Sequence, residues 1–263
     1  MDAPLEGLKL DKEDVLKIER AIAEACLKMT CVVTCDPSED DFAVFSGVFF
    51  HNNGRYYVLT AKHCLEDIQR PKTIGLSNYS AQTLNAEFER LQDFEIRNDL
   101  VKTETDIAVI ELSPDYAVRL NAEWVSRDRI TEVSAVGTPV FAVGFPKEIM
   151  RRNPNDRRII YPGPYAAFSA VVEPPPSESI LNPIDTAVDF FIAYGKQEGA
   201  DDNHDIHPRG MSGGGIFTFD TISLNTQELW TPNIRLLGIL SALFQGKLIR
   251  GKKAALVLSA MEA

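Results

Sequence analysis

The sequence predicts an all-β fold: a double antiparallel β-barrel with one added N-terminal helix, built from 263 residues. Three observations lead there. Short β-rich runs alternate with turn signals from about residue 29 onward. The segment His51-Asn52-Asn53-Gly54 joins two of those runs, and Asn-Gly supplies the positive φ angles of a two-residue hairpin turn. Residues with complementary chemistry lie in both halves of the chain, which places a site in a cleft between two units. The expected division is 1–28 for the helical extension, 29–130 for the first barrel and 131–263 for the second, together one domain.

In chain order, residues 11–28 read as a helix. Val15, Ile18, Ile22, Cys26 and Met29 fall on one stripe, with Glu13, Lys17, Glu24 and Lys28 largely off it. Such a face packs against a barrel; the alternative is a dock for a partner or a regulatory element. Strands are expected over 29–35, 42–50 and 55–60, then a short helix over 65–68 and a strand over 106–112. Trp124 and Val125 mark the crossover, and the second barrel starts near Val133. Its strands are expected over 141–145, 165–172, 190–194, 216–219 and 236–244. Between them lie a basic island at 151–158, a stiff Pro174-Pro175-Pro176 connection, an acidic loop at 198–205 and an insertion at 220–232.

Composition narrows the function. With 44% hydrophobic residues the chain can bury a substantial core. A net charge of −11 argues against a nucleic-acid partner, because phosphate binding needs a basic surface. No apolar run approaches the roughly 20 residues that a membrane helix needs, so no membrane partner is expected. The start Met1-Asp2-Ala3-Pro4-Leu5-Glu6 lacks the basic and apolar regions of a signal peptide. Cys31 and Cys35 are close in sequence, but a zinc site would need two further ligands; no metal and no cofactor is expected.

The chemistry centres on Gly210-Met211-Ser212-Gly213-Gly214-Gly215. A serine hydroxyl is a poor nucleophile unless a base takes its proton and donors receive the developing oxyanion. A glycine-rich turn offers Ser212 together with the NH groups of Gly210 and Ser212 as oxyanion donors. The pattern Gly210-x-Ser212-x-Gly214 also fits the nucleophile elbow of the α/β-hydrolases, in which the histidine follows the serine. The histidines are His51, His63, His204 and His207, all upstream of Ser212, which excludes the elbow. His63 ends Thr60-Ala61-Lys62-His63, and Asp106 opens the apolar run Ile107-Ala108-Val109-Ile110. The order His63, Asp106, Ser212 is one known arrangement of a Ser-His-Asp triad.

Thr60-Ala61-Lys62-His63-Cys64, Asp106-Ile107-Ala108-Val109 and Gly210-Met211-Ser212-Gly213-Gly214 together resemble the trypsin-like (chymotrypsin-fold) serine proteases. Val140-Phe141-Ala142-Val143-Gly144-Phe145-Pro146 resembles the strand opening the second barrel in bacterial members, and Leu237-Gly238-Ile239-Leu240-Ser241 the strand after the nucleophile. The resemblance implies His63 as general base and acid, Asp106 as its orienting partner, Ser212 as nucleophile, and Ser241 beside the aspartate. It places Ile206, His207 and Leu243 at the primary specificity pocket, read as apolar or shallow, with His207 suiting Glu or Gln and Asp205 a basic side chain. In secreted relatives the cysteine after the histidine bridges to one before the preceding strand. Here that region reads Ala43-Val44-Phe45-Ser46-Gly47, so Cys64 is expected as a free thiol and the setting as a reducing cytoplasm. Digestive relatives carry, just before the nucleophile, an aspartate that pairs with a newly cut N-terminus. Met211 cannot do so, which suits the bacterial intracellular type, with the oxyanion turn held by other contacts or ordered by substrate or a regulatory protein partner. The expected activity is endopeptidase action on a protein or peptide substrate. The alternatives are a catalytically silent binding module and, more remotely, an esterase.

Overall fold

In the computed structural model, residues 12–36, 43–66, 73–78, 89–91, 94–97, 105–132, 135–152, 160–161, 163–176, 183–194, 206–219, 233–244 and 247–261 are described. The acidic loop 198–205 with His204, the insertion 220–232, Val133 and most of the basic island lie outside them. Helix α1 (Lys12–Lys28) leads into β1 (Thr30–Asp36), β2 (Ala43–Asn52) and β3 (Arg55–Thr60). Asn53 and Gly54 take φ of 49° and 77°, the hairpin turn that the Asn-Gly pair predicts. The first half continues through α2 (Lys62–Glu66), β4 (Thr73–Asn78), β5 (Glu89–Leu91), β6 (Glu95–Ile96), β7 (Ala108–Leu112), α3 (Pro114–Leu120) and β8 (Val125–Ser126). These strands form a sheet ordered β5-β4-β1-β2-β3-β7-β6, with β8 parallel to β2. Among the described residues its outer strands do not pair to close the barrel.

The second half is closed. It comprises β9 (Pro139–Gly144), a small β10–β11 ribbon (Arg151–Arg152, Ile160–Tyr161), β12 (Tyr165–Val172), β13 (Asp189–Ala193), β14 (Gly215–Phe219), β15 (Ile234–Phe244) and β16 (Leu248–Lys253), then α4 (Ala255–Met261). The order β12-β13-β16-β15-β14-β9 returns on itself through antiparallel pairs. The architecture is therefore the chymotrypsin-like pair of antiparallel β units with an added N-terminal helix.

Burial explains why the strands read as continuous apolar runs. Along β2, Phe45 and Phe49 enter the core of the first unit, with Cys31, Val33, Val58 and Ile110. The alternate residues Val44, Val48 and Phe50 face outward, yet they too are buried. They meet Phe141, Val143, Phe217, Leu236 and Ile239 of the second unit in a shared core. Strands covered on both faces lose the polar alternation of a half-solvated sheet. The same shared core receives Ile22, Cys26 and Leu27 of α1, and Met29 just after it. Each large apolar side chain buried this way contributes about 1.5–3 kcal/mol, which is why the helix docks. Val15, at the other end of the expected stripe, is 40% exposed, so the helix is clamped by its C-terminal half.

The second barrel contains a charge cluster with no counterpart in the expected pattern. Asp189, with a fully buried carboxylate at the start of β13, bonds Lys252 and Arg250 of the neighbouring β16. Burial alone would raise its pKa; the hydrogen bonds from Arg250 and Lys252 outweigh this and hold the carboxyl below the usual range.

Candidate active site

The histidine and aspartate are delivered by one corner of the first sheet. Strand β3 ends at Thr60, and the chain turns into α2, whose first turn carries His63. Asp106 stands just before β7, the neighbour of β3. Its Oδ1 accepts from the His63 backbone NH at 2.9 Å, and its Oδ2 accepts from His63 Nδ1 at 2.8 Å and from Ser241 Oγ at 2.5 Å. Burial works against the carboxylate, but the His63 ring, Ser241 and the His63 NH together lower its pKa. An ionised carboxylate is acceptor-only, so Nδ1 carries the proton and Nε2 is the nitrogen left for chemistry.

The serine turn connects β14 to the barrel mouth. Gly210 takes φ +98° and Gly213 φ +88°. A Cβ on Gly213 would stand 2.0 Å from the Ser46 carbonyl oxygen and 2.2 Å from Thr60 Oγ1, so no other residue fits there. The Arg209 carbonyl accepts from the Lys147 NH at 2.7 Å, and the Met211 NH donates to the Pro208 carbonyl at 2.8 Å. The Gly213 NH donates to the Leu240 carbonyl and the Gly214 NH to the Met211 carbonyl, both at 2.8 Å. Among the described residues, the NH groups of this turn without an acceptor are those of Gly210 and Ser212. Because a trans peptide carries its carbonyl and NH on opposite sides, the Lys147 bond fixes the direction in which the Gly210 NH points. The two candidate oxyanion donors are thus present and open.

The triad itself is not closed. Ser212 Oγ donates to the Ser241 carbonyl at 3.4 Å, and no hydrogen bond joins it to His63. What faces Nε2 is Cys64 Sγ, 3.5 Å away. Residue types did not foretell this, since the family resemblance marks Cys64 only as a thiol without its usual bridge. The bond to Asp106, then the contact with Cys64, push the His63 pKa up to about 10 against an opposing effect of burial. An imidazolium cannot take a proton from Ser212, so kcat/KM should rise as pH climbs through this range. Cys64→Ala removes the second cause of the upward shift. The acid limb of the kcat/KM profile should therefore move to lower pH and activity at neutral pH should increase; an unmoved limb would remove Cys64 from this role.

All four cysteines are free, with Cys26, Cys31 and Cys35 fully buried and Cys64 partly exposed. Burial drives the thiol pKa of Cys26 and Cys31 upward, and the thiolate is the reactive form. Native protein should accordingly take up iodoacetamide at Cys64 alone and at all four sites after denaturation without reductant, read by intact mass. A deficit of two would reveal a disulfide.

Beside Ser212 opens a pocket of about 190 Å³. Met211, Leu240, Leu243 and Ile249 give it apolar walls, and His207 and Arg209 stand at it, both exposed. Of the expected specificity residues, His207, Ser241 and Leu243 are in the lining. Ile206 is not; its carbonyl accepts from the Tyr194 hydroxyl instead. Asp205 lies outside the described residues. No cluster of potential metal ligands occurs among the described residues.

Two antiparallel β units with His63 and Asp106 on one and Ser212 on the other define a protein of the chymotrypsin fold. The family model described as Trypsin matches residues 30–158, a stretch that holds His63 and Asp106 and stops before Ser212. A serine endoprotease from Yersinia pestis superposes with a TM-score of 0.53 at 16% identity, covering 92% of this chain and 65% of that one. The HtrA-type protease AlgW, solved with a tripeptide, gives 0.54 at 15% identity, covering 92% and 62%. This chain thus spans less than two thirds of either, and at such identities the likeness concerns the fold. No curated protein matches the sequence. Just under half of the chain thus matches the Trypsin family, and the whole shares the fold of the trypsin-like serine proteases.

Proposed function

We propose that this chain is a serine endopeptidase that cuts peptide bonds through His63, Asp106 and Ser212 with an acyl-enzyme intermediate. The observation that carries the reading is the pairing of an Asp106 saturated by three donors with a serine turn whose open NH groups are those of Gly210 and Ser212. In the mechanism, Ser212 Oγ turns from the Ser241 carbonyl to His63 Nε2, displacing Cys64, and attacks the scissile carbonyl. Nε2 takes the hydroxyl proton and returns it to the leaving amine; Asp106 stabilises the imidazolium between those events. Gly210 and Ser212 NH groups receive the oxyanion, a contribution of about 2.7–4 kcal/mol per donor. The apolar pocket suits a medium-sized apolar side chain before the cut bond, and the exposed His207 and Arg209 suit an acidic group near its mouth. A restricted protein substrate, a regulatory protein partner and a reducing compartment complete the reading; neither nucleic acid nor membrane belongs to it.

The second reading is a catalytically silent binding module, which the separation of Ser212 from His63 favours. A fluorophosphonate probe decides between them. Covalent labelling of Ser212, located by peptide mass and absent from Ser212→Ala, supports the enzyme; full-length protein that neither labels nor cuts a peptide library supports the module.

A further inference from the structure

A serine in the middle of the buried run Val44 to Phe50 needs a reason. Ser46 is 0% exposed, and a buried hydroxyl without partners is destabilising by about 1–3 kcal/mol. Its partners are all used, and most lie across the cleft. Ser46 Oγ donates to the Gly210 carbonyl and accepts from the Phe145 NH, each at 2.9 Å. The Ser46 NH donates to the Ser212 carbonyl at 2.9 Å. From its own unit, Thr60 Oγ1 donates to the Ser46 carbonyl at 2.7 Å. One residue of β2 therefore grips the carbonyls on either side of Met211, while Lys147 holds that of Arg209 and Gly214 that of Met211.

We propose that Ser46 is the positioning residue of the oxyanion turn: it ties the first unit to the Gly210–Met211 and Ser212–Gly213 peptides, which alternate with the two peptides that carry the Gly210 and Ser212 NH groups, and so keeps those NH groups aimed together. The inference rests on the reading of Ser212 as nucleophile. It assigns the source of the rigidity that Met211 cannot supply: with no carboxylate at that position, an N-terminal ammonium has nothing to pair with inside the turn. The anchor comes instead from a side-chain hydroxyl on the opposite unit, already in place in the uncut chain. Thr60 supports the anchor by holding the Ser46 backbone, and Gly144, whose Cβ would meet Ser46 Oγ at 3.0 Å, leaves room for it.

The test uses the full chain, with Ser46→Ala deleting the hydroxyl and Thr60→Val deleting the supporting bond at nearly constant volume. Losing a whole oxyanion donor costs roughly 10²- to 10³-fold in kcat; loosening both without removing either should cost about 10- to 100-fold for Ser46→Ala, and less for Thr60→Val. KM should stay close to wild type. Affinity for a peptide boronate, whose tetrahedral adduct fills the oxyanion site, should fall with kcat/KM, while binding of the same peptide in a Ser212→Ala background stays unchanged. A merely structural serine would lower the melting temperature without separating these two affinities. If Ser46→Ala does not fold, Thr60→Val carries the test. Folded variants with wild-type kcat, or a loss confined to KM, overturn the proposal. Inactivity of the wild type itself would instead sink the proteolytic reading, so the two failures are distinguishable.

Discussion

Ser212→Ala should abolish peptide hydrolysis, lowering kcat by on the order of 10⁶-fold, the loss seen when the nucleophile of such a triad is removed. The expectation follows from what the turn contains. Gly213, Gly214 and Gly215 follow Ser212, and Gly210 and Met211 precede it, so no second hydroxyl stands in the turn to replace it. Cys64 is the nearest competing nucleophile to His63 Nε2, but it belongs to the other unit and has no part in the serine turn. The fold should survive, because Ser212 Oγ makes one long bond, to the Ser241 carbonyl at 3.4 Å, while the backbone bonds of the turn are untouched. Circular dichroism and melting temperature should match wild type while turnover of a peptide substrate and fluorophosphonate labelling vanish together. Turnover that persists at near wild-type rate would show that Ser212 is not the nucleophile.

Much of this was legible in the sequence because it is local. The Asn53-Gly54 turn, the 165–172 strand and α1 each follow from a few neighbouring residues. The signals for α3 are equally local: the Ser113 cap, Pro114 at the helix start and Asn121, left-handed, at its end. The rest depends on partners far along the chain. Nothing near Asp189 announces that Arg250 and Lys252 will neutralise it. Ser46 looked like a gap in a cysteine pattern, and its bonds to Gly210 and Phe145 exist only because two units meet. The three candidate triad residues were legible as types in order; the structure joins Asp106 to His63 and Ser241, while Ser212 Oγ bonds the Ser241 carbonyl. The orientation of the Ser212 hydroxyl was not legible, since it turns on a single side-chain rotation that no residue pattern encodes. Ile206 was misplaced relative to the pocket for a related reason: the position of a wall residue depends on how the preceding loop enters, and Tyr194 holds the Ile206 carbonyl.

Asp106→Asn should lower kcat by roughly 10⁴-fold and leave the fold intact. The three donors on Asp106 make the loss unavoidable. The carboxylate accepts at Oδ1 from the His63 NH and at Oδ2 from both His63 Nδ1 and Ser241 Oγ. An asparagine has one carbonyl oxygen and one NH2 group. Placed with its oxygen toward the His63 NH, it presents NH2 to Nδ1, which must then accept; the ring proton moves to Nε2, and Nε2 can no longer take a proton from Ser212. Ser241 Oγ, able to accept as well as donate, adapts to that arrangement and keeps the side chain in place. The flipped amide restores the tautomer but sets NH2 against the His63 NH, donor facing donor, and so is disfavoured. Loss of the carboxylate also removes the largest cause of the raised His63 pKa. The protonated ring, stabilised in the wild type at every pH below about 10, should titrate lower in the variant. The stabilisation it lends to folding is full below its unfolded value near 6.5 and is lost as pH rises through the folded value, so the variant should lose this contribution. Steady-state kinetics across pH, with ring titration followed by NMR, tests both parts. A variant that keeps near wild-type kcat would mean that Asp106 does not set the tautomer of His63.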